Sequence, residues 1–138
     1  MDTKAAFSTL AADQFGTNRT VDPNATKSER AYALMMHLTT LLSVHTGLVL
    51  FVPAIMWAVK RKESPFIDDH GKETVNFHFT LVIYTIIVVL SGFLTCSIGW
   101  WILGPALYLY TMVFAVIASI AAHNGEYYRY PACLRFIH

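Results

Sequence analysis

"NFHFTLVIYTIIVVLSGFLTC", residues 76–96, runs for 21 residues without a formal charge. At ~1.5 Å per residue, a helix of that length crosses a ~30 Å hydrocarbon core. The stretch on its amino-terminal side, "KRKESPFIDDHGKE" (60–73), is dense in charge, and on its other side Ser97, Gly99, Trp100 and Trp101 read as a short interfacial turn. A second apolar stretch, residues 105–123, is 19 residues long. Pro105 suits its first turn, and Asn124-Gly125 suits its end, because glycine accepts a left-handed cap. These residues predict two full membrane spans joined at one side of the bilayer.

Composition agrees. The chain has 138 residues, of which 55% are hydrophobic and 14% charged, and its mean hydropathy is +0.46. A soluble domain of this size would expose too much of that apolar surface to water. The net charge of +1 offers no basic field for nucleic acid, so no nucleic-acid partner is expected. Cys96 and Cys133 lack the spacing of a zinc or redox motif and read as ordinary thiols.

Residues 31–59 would reach ~43 Å as one straight helix, which overshoots the core. Ser43, His45, Thr46, Gly47 and Pro53 interrupt them. The favoured reading is a short helical hairpin, 28–44 and 47–61, with Ser28 as N-cap; one long kinked span is the alternative. Residues 1–27 are polar, lack the apolar centre of a signal peptide, and read as an uncleaved tail. The resulting organisation is an amino-terminal tail (1–27), a membrane bundle (28–123) and an interfacial carboxy-terminal tail (124–138). The fold class is all-α: a polytopic membrane helix bundle of about four helical segments.

Charge orients the bundle. Lys60, Arg61, Lys62 and Lys72 precede the first span and Arg129 and Arg135 follow the second, whereas residues 97–101 contain no Lys or Arg. The basic ends are therefore expected in the cytoplasm, with the chain in the cell inner membrane. A hairpin would put Lys4, Arg19, Lys27 and Arg30 there as well, which accounts for all 10 basic residues. Within the charged stretch, Ser64-Pro65 forces an extended turn. Asp68 or Asp69 can cap the next helix, and Asp69 and Glu73 sit where its positive dipole end favours them.

Two segments carry a resemblance. "WAVKRKESPFIDDHGKETVNFHFT" (57–80), followed by "HNGEYYRYPACLRFI" (123–137), resembles a bacterial integral membrane family of unknown function, distantly similar to the Tic-twenty component of the chloroplast import apparatus. The resemblance implies a compact bundle of about four helical segments and no catalytic residue. His78 stands where members of that family commonly carry glutamine.

The candidate site residues are Asp68, Asp69, Glu73, Asn76, His78, Arg129 and Arg135. Asn76 and His78 lie in the first turns of a span, where unpaired polar groups are costly, so they must face protein or water. They form either a structural network or a polar vestibule with Glu73 at its mouth. The charged turn and the tail have complementary signs and are expected to dock, placing a cysteine at 68 or 69 within disulfide reach of Cys133. His37, His45 and His70 lack the arrangement of a metal or haem site and read as interfacial polar groups, so no metal or cofactor is expected. No G-x-S-x-G, H-E-x-x-H or P-loop occurs, and a non-enzymatic protein is expected. Ala115, Ser119, Ala118 and Ala122 form small-residue pairs that suit close helix packing, inside the bundle or against a membrane-protein partner or second copy. Two functions fit: an accessory or scaffold subunit of a membrane complex, or a small pore or transporter.

Overall fold

The computed structural model describes residues 19–46 and 51–138, without the side chains of residues 44–46. Expectations for residues 1–18, including Lys4, and for the hairpin break at Gly47 lie outside the described residues. Among those described, four helices form: α1 (Lys27–Thr46), α2 (Val52–Lys60), α3 (Pro65–Leu94) and α4 (Ile98–Asn124). The fold is all-α, and α3 and α4 are long and apolar enough to cross a membrane.

Helix α1 begins with a reciprocal cap. Thr26 Oγ1 accepts from the Glu29 N–H, and Glu29 Oε2 accepts from the Thr26 N–H at 2.6 Å. This is the S/T-x-x-E pattern in the stretch Thr26-Lys27-Ser28-Glu29. The cap is thus Thr26 and not Ser28, which lies inside the first turn. Helix α2 folds back on α1, with Pro53 in its first turn and Tyr32 Oη donating to the Met56 carbonyl at 2.8 Å. The hairpin is therefore formed, with its second helix described from Val52 to Lys60.

Helix α3 begins at Pro65, one residue after Ser64, whose Oγ accepts from the Phe66 N–H. Ser64 holds the extended conformation that a following proline imposes, and Pro65 has no N–H to leave unsatisfied. Asp68 and Asp69 accordingly lie within the helix and do not cap it. At the far end, Cys96 and Ser97 take positive φ values of 48° and 78° in a turn so tight that α4 starts at Ile98. Thr95 Oγ1 accepts from the Gly99 N–H at 2.8 Å and satisfies an orphan donor of α4. Trp100 and Trp101 are therefore helical, and Pro105 lies inside α4, not at its start. Helix α4 ends at Gly125, with φ +79°; the Glu126 N–H reaches Ala121 and the Gly125 N–H reaches Ala122, a Schellman arrangement.

Ala115, Ala118, Ser119, Ala121 and Ala122 are all buried, so the small-residue face of α4 is used within the chain's own bundle. Phe66, Ile67, Ala33 and Met36 pack near Ala122, and Phe77, Leu81, Tyr128 and Tyr130 pack on Ala118 and Ala121. Burial divides the molecule lengthwise. The buried residues of α3 stop at Leu81, except Gly92, and those of α4 start at Thr111, except Gly99. Those two glycines sit at the turn, where Gly92 lies against the Trp100 indole and Gly99 against Ser91. Among the described residues, four helices gather at the charged end and two continue to the turn end.

Candidate functional site: the tail clamp on helix α3

The carboxy-terminal tail lies along one stripe of α3, at helical spacing through Glu73, Asn76, Thr80 and Tyr84. Glu73, only 3% exposed, accepts the Tyr130 N–H at 2.7 Å and a two-pronged donation from Arg135, Nε at 3.2 Å and Nη2 at 3.1 Å. Asn76 Oδ1 accepts the N–H groups of Phe136 and Ile137, and its Nδ2 donates to the Ile137 carbonyl. Thr80 Oγ1 accepts from the Leu134 N–H at 2.9 Å. Tyr84 and, from α4, Tyr110 donate to the carbonyls of Ala132 and Pro131. The tail is thus read mainly through its backbone, whose polar groups would otherwise be stranded beside apolar surface.

Two tyrosines anchor the tail from above. Tyr130 stacks on Phe77, with ring centroids 3.7 Å apart and planes 4° from parallel, and Tyr128 is buried beside it. Burial pushes the Tyr128 hydroxyl up to about 12 and holds that of Tyr130 well above its ordinary value, so both stay neutral. Tyr127, pushed up to about 12 by burial and by its bond to Asp22, ties the amino-terminal segment to the same face. Val21 pairs there with Glu126 in an isolated bridge.

Arg129 makes a fork-to-fork pair with Asp69, and this hydrogen bonding raises the guanidinium above its ordinary range. Hydrogen bonding to Glu73 does the same for Arg135. Asp68 accepts from Trp57 Nε1 at 2.8 Å and pairs with Lys72 at 2.7 Å. An open cleft of about 470 Å³ runs between these groups, lined by Asp68, Asp69, Lys72, Tyr127 and Arg129. Its charges are already matched in pairs.

Sequence reasoning missed the histidine core. His37 and His70 are not interfacial; both are fully buried, with His37 Nε2 2.8 Å from His70 Nδ1. His37 Nδ1 lies 3.0 Å from both Tyr130 Oη and Thr74 Oγ1. His78 bridges the Thr74 carbonyl and Ser43 Oγ. The signal was helical spacing: His70, Thr74 and His78 fall at i, i+4 and i+8 on the α3 face that α1 covers. No group of three metal-ligating side chains occurs among the described residues. Cys133 is also displaced from expectation. Its sulfur meets Thr80 Oγ1 at 3.6 Å. Asp69 lies eleven residues earlier on α3, ~16 Å away along the axis, beyond disulfide reach.

A helical bundle with two spans, a polar core at one end and a tail clamped by buried side chains defines a small integral membrane protein. Residues 28–137 match the MamF/MmsF magnetosome magnetite crystal formation protein family, and the chain belongs to that family. This corrects the resemblance to a Tic-twenty-like family of unknown function: both segments that carried it, residues 57–80 and 123–137, lie within the range matched by the magnetosome family. No curated protein and no solved structure shows a significant match.

Proposed function

We propose that the protein is a non-enzymatic accessory or scaffold component of the magnetosome membrane that acts in forming the magnetite crystal. The observation that carries this reading is the family match, which spans all four helices and the clamped tail. The clamp supports it, because Glu73, Asn76, Arg129 and Arg135, the groups best suited to chemistry, are all engaged in holding the tail and its cap to α3. The positive-inside tendency places the charged end and tail in the cytoplasm and residues 95–97 on the crystal side. Magnetosome-membrane partners, or a second copy, would complete the scaffold.

The alternative, a small pore or transporter, has less support. Among the described side chains the polar column runs from His70 through His37 and His78 to Ser43, and beyond it α3 and α4 carry no Asp, Glu, Lys or Arg. The test is deletion of the gene in its magnetite-forming host, with electron microscopy of the crystals and fractionation of a tagged chain. Altered crystal size or number, restored by the wild-type gene, with the tag in the magnetosome membrane, is expected. Unchanged crystals, or a tag spread evenly through the cell membrane, would overturn the reading.

A further inference from the structure

The bundle differs in width between its two ends. From Leu81 to Leu94, α3 runs fourteen residues, ~20 Å, and among the described residues α4 is the one helix beside it, with the tail touching it at Tyr84. Around the charged end, α1 packs against both long helices and α2 against α3, joined to α3 by the His37–His70, Ser43–His78 and Trp57–Asp68 contacts. That flanking pair belongs in lipid, not water: residues 31–59 carry no Asp, Glu, Lys or Arg. Met35, Leu42, Phe51, Ile55 and Val59 all face outward, each more than half exposed. An apolar exterior over a hydrogen-bonded polar interior is the arrangement a helix needs in hydrocarbon.

A ~30 Å core holds the ~20 Å two-helix prong and, above it, part of the four-helix layer. The leaflet at the charged end therefore accommodates about two helix cross-sections more than the opposite leaflet. Each helix with side chains is ~10–12 Å across, so the excess is on the order of 200 Å². We propose that the protein is a wedge that binds preferentially to strongly curved bilayers, with its charged end on the convex face. Its partner in this role is lipid, which fills the space beside the prong more easily where that leaflet is compressed by curvature. If the charged end is cytoplasmic, as the proposed function has it, the wedge fits a membrane enclosing a crystal, whose convex face looks to the cytoplasm; that biological placement rests on the earlier reading, while the preference itself does not.

The test uses the full chain with Cys133→Ser, dye-labelled at Cys96, which is exposed at the turn. It is reconstituted at low density into phosphatidylethanolamine–phosphatidylglycerol vesicles of mixed diameter. Protein per membrane area is read vesicle by vesicle, and trypsin cleavage within residues 60–62 reports which molecules have the charged end outside. Those molecules should be enriched severalfold in the smallest vesicles relative to the largest, and inward-facing ones depleted. Density independent of diameter, or enrichment of the opposite orientation, would overturn the proposal. A chain with Ile55→Asn and Val59→Asn, its helicity checked by circular dichroism, should lose much of the enrichment; if it does not, α2 is not the immersed flank. Stoichiometric disulfide dimers of unlabelled protein through Cys96 in large vesicles would mean that a second copy covers the prong, and would also overturn it. Because these vesicles contain no crystal, a failure here leaves the crystal-formation role standing, and a deletion strain with normal crystals leaves the wedge standing.

Discussion

Glu73 and Asp69 each hold an arginine of the tail, yet the two pairs differ in worth because they differ in burial. The Arg129 and Asp69 side chains are 50% and 27% exposed, and a pair so wetted contributes ~0–1 kcal/mol. Glu73 is buried, and removing Arg135 would leave its carboxylate with the Tyr130 N–H alone. Arg135→Ala should therefore lower stability by about 2–3 kcal/mol, less than for a fully buried pair because Arg135 itself is partly exposed. Arg129→Ala should cost no more than ~1 kcal/mol. Denaturation in mild detergent, followed by circular dichroism, checks the order, and equal losses would contradict it. Asn76→Leu removes three hydrogen bonds to the tail backbone, each worth ~0.5–1.5 kcal/mol. The tail of that variant should be trimmed by carboxypeptidase much faster than that of the wild type, with the helices intact.

At the scale of elements, the tightest constraint is the contact of α3 with α4 at Gly92. A Cβ there would fall 1.8 Å from Trp100 Nε1, and an indole ring cannot bend aside. Gly92→Ala should turn Trp100 out of the hairpin, break its hydrogen bond to the Val89 carbonyl and cost ~1–3 kcal/mol. A shift in tryptophan emission with a lower unfolding midpoint is the expected result; unchanged emission would count against the packing. Helix number and type were legible in sequence, because charge-free length and hydropathy decide spans and the breaks at Ser64-Pro65 and Asn124-Gly125 are local. The start of α4 was not legible. Pro105 is a good first-turn residue by propensity, but the Thr95 hydroxyl and the Gly92–Trp100 fit start the helix seven residues earlier. The buried histidines were equally hidden, since nothing local to His37 says that His70 will face it from another helix. In the tail, complementary charge was visible, whereas the backbone bonds to Asn76 and Thr80 depend on where Pro131 and the Tyr130–Phe77 stack set the chain down.

For the molecule as a whole, topology and tail position make one linked prediction. Cys96 belongs to the turn between the spans and Cys133 to the tail beside Thr80, and fourteen residues of α3, ~21 Å, separate these levels. A disulfide needs Cα atoms within ~7 Å, so the two native cysteines should never join within one chain. In a Cys96→Ser background, Thr80→Cys should instead bond to Cys133 under mild oxidation, because the Thr80 hydroxyl already lies 3.6 Å from that sulfur. A cysteine at Asp69 should not, although Asp69 holds the tail through Arg129, since its level on the helix is ~16 Å away. The contrast separates a tail laid along α3 from one merely tethered near the charged turn: the first gives a bond from position 80 only, the second from 69 as readily as from 80. Charge supplies the direction across the membrane. An impermeant thiol reagent outside intact cells should label native Cys96 but not a cysteine at Lys62, in protein still resident in the cell membrane. The reverse labelling, together with the bond at position 80, would keep the fold and the clamp and invert the protein in the bilayer.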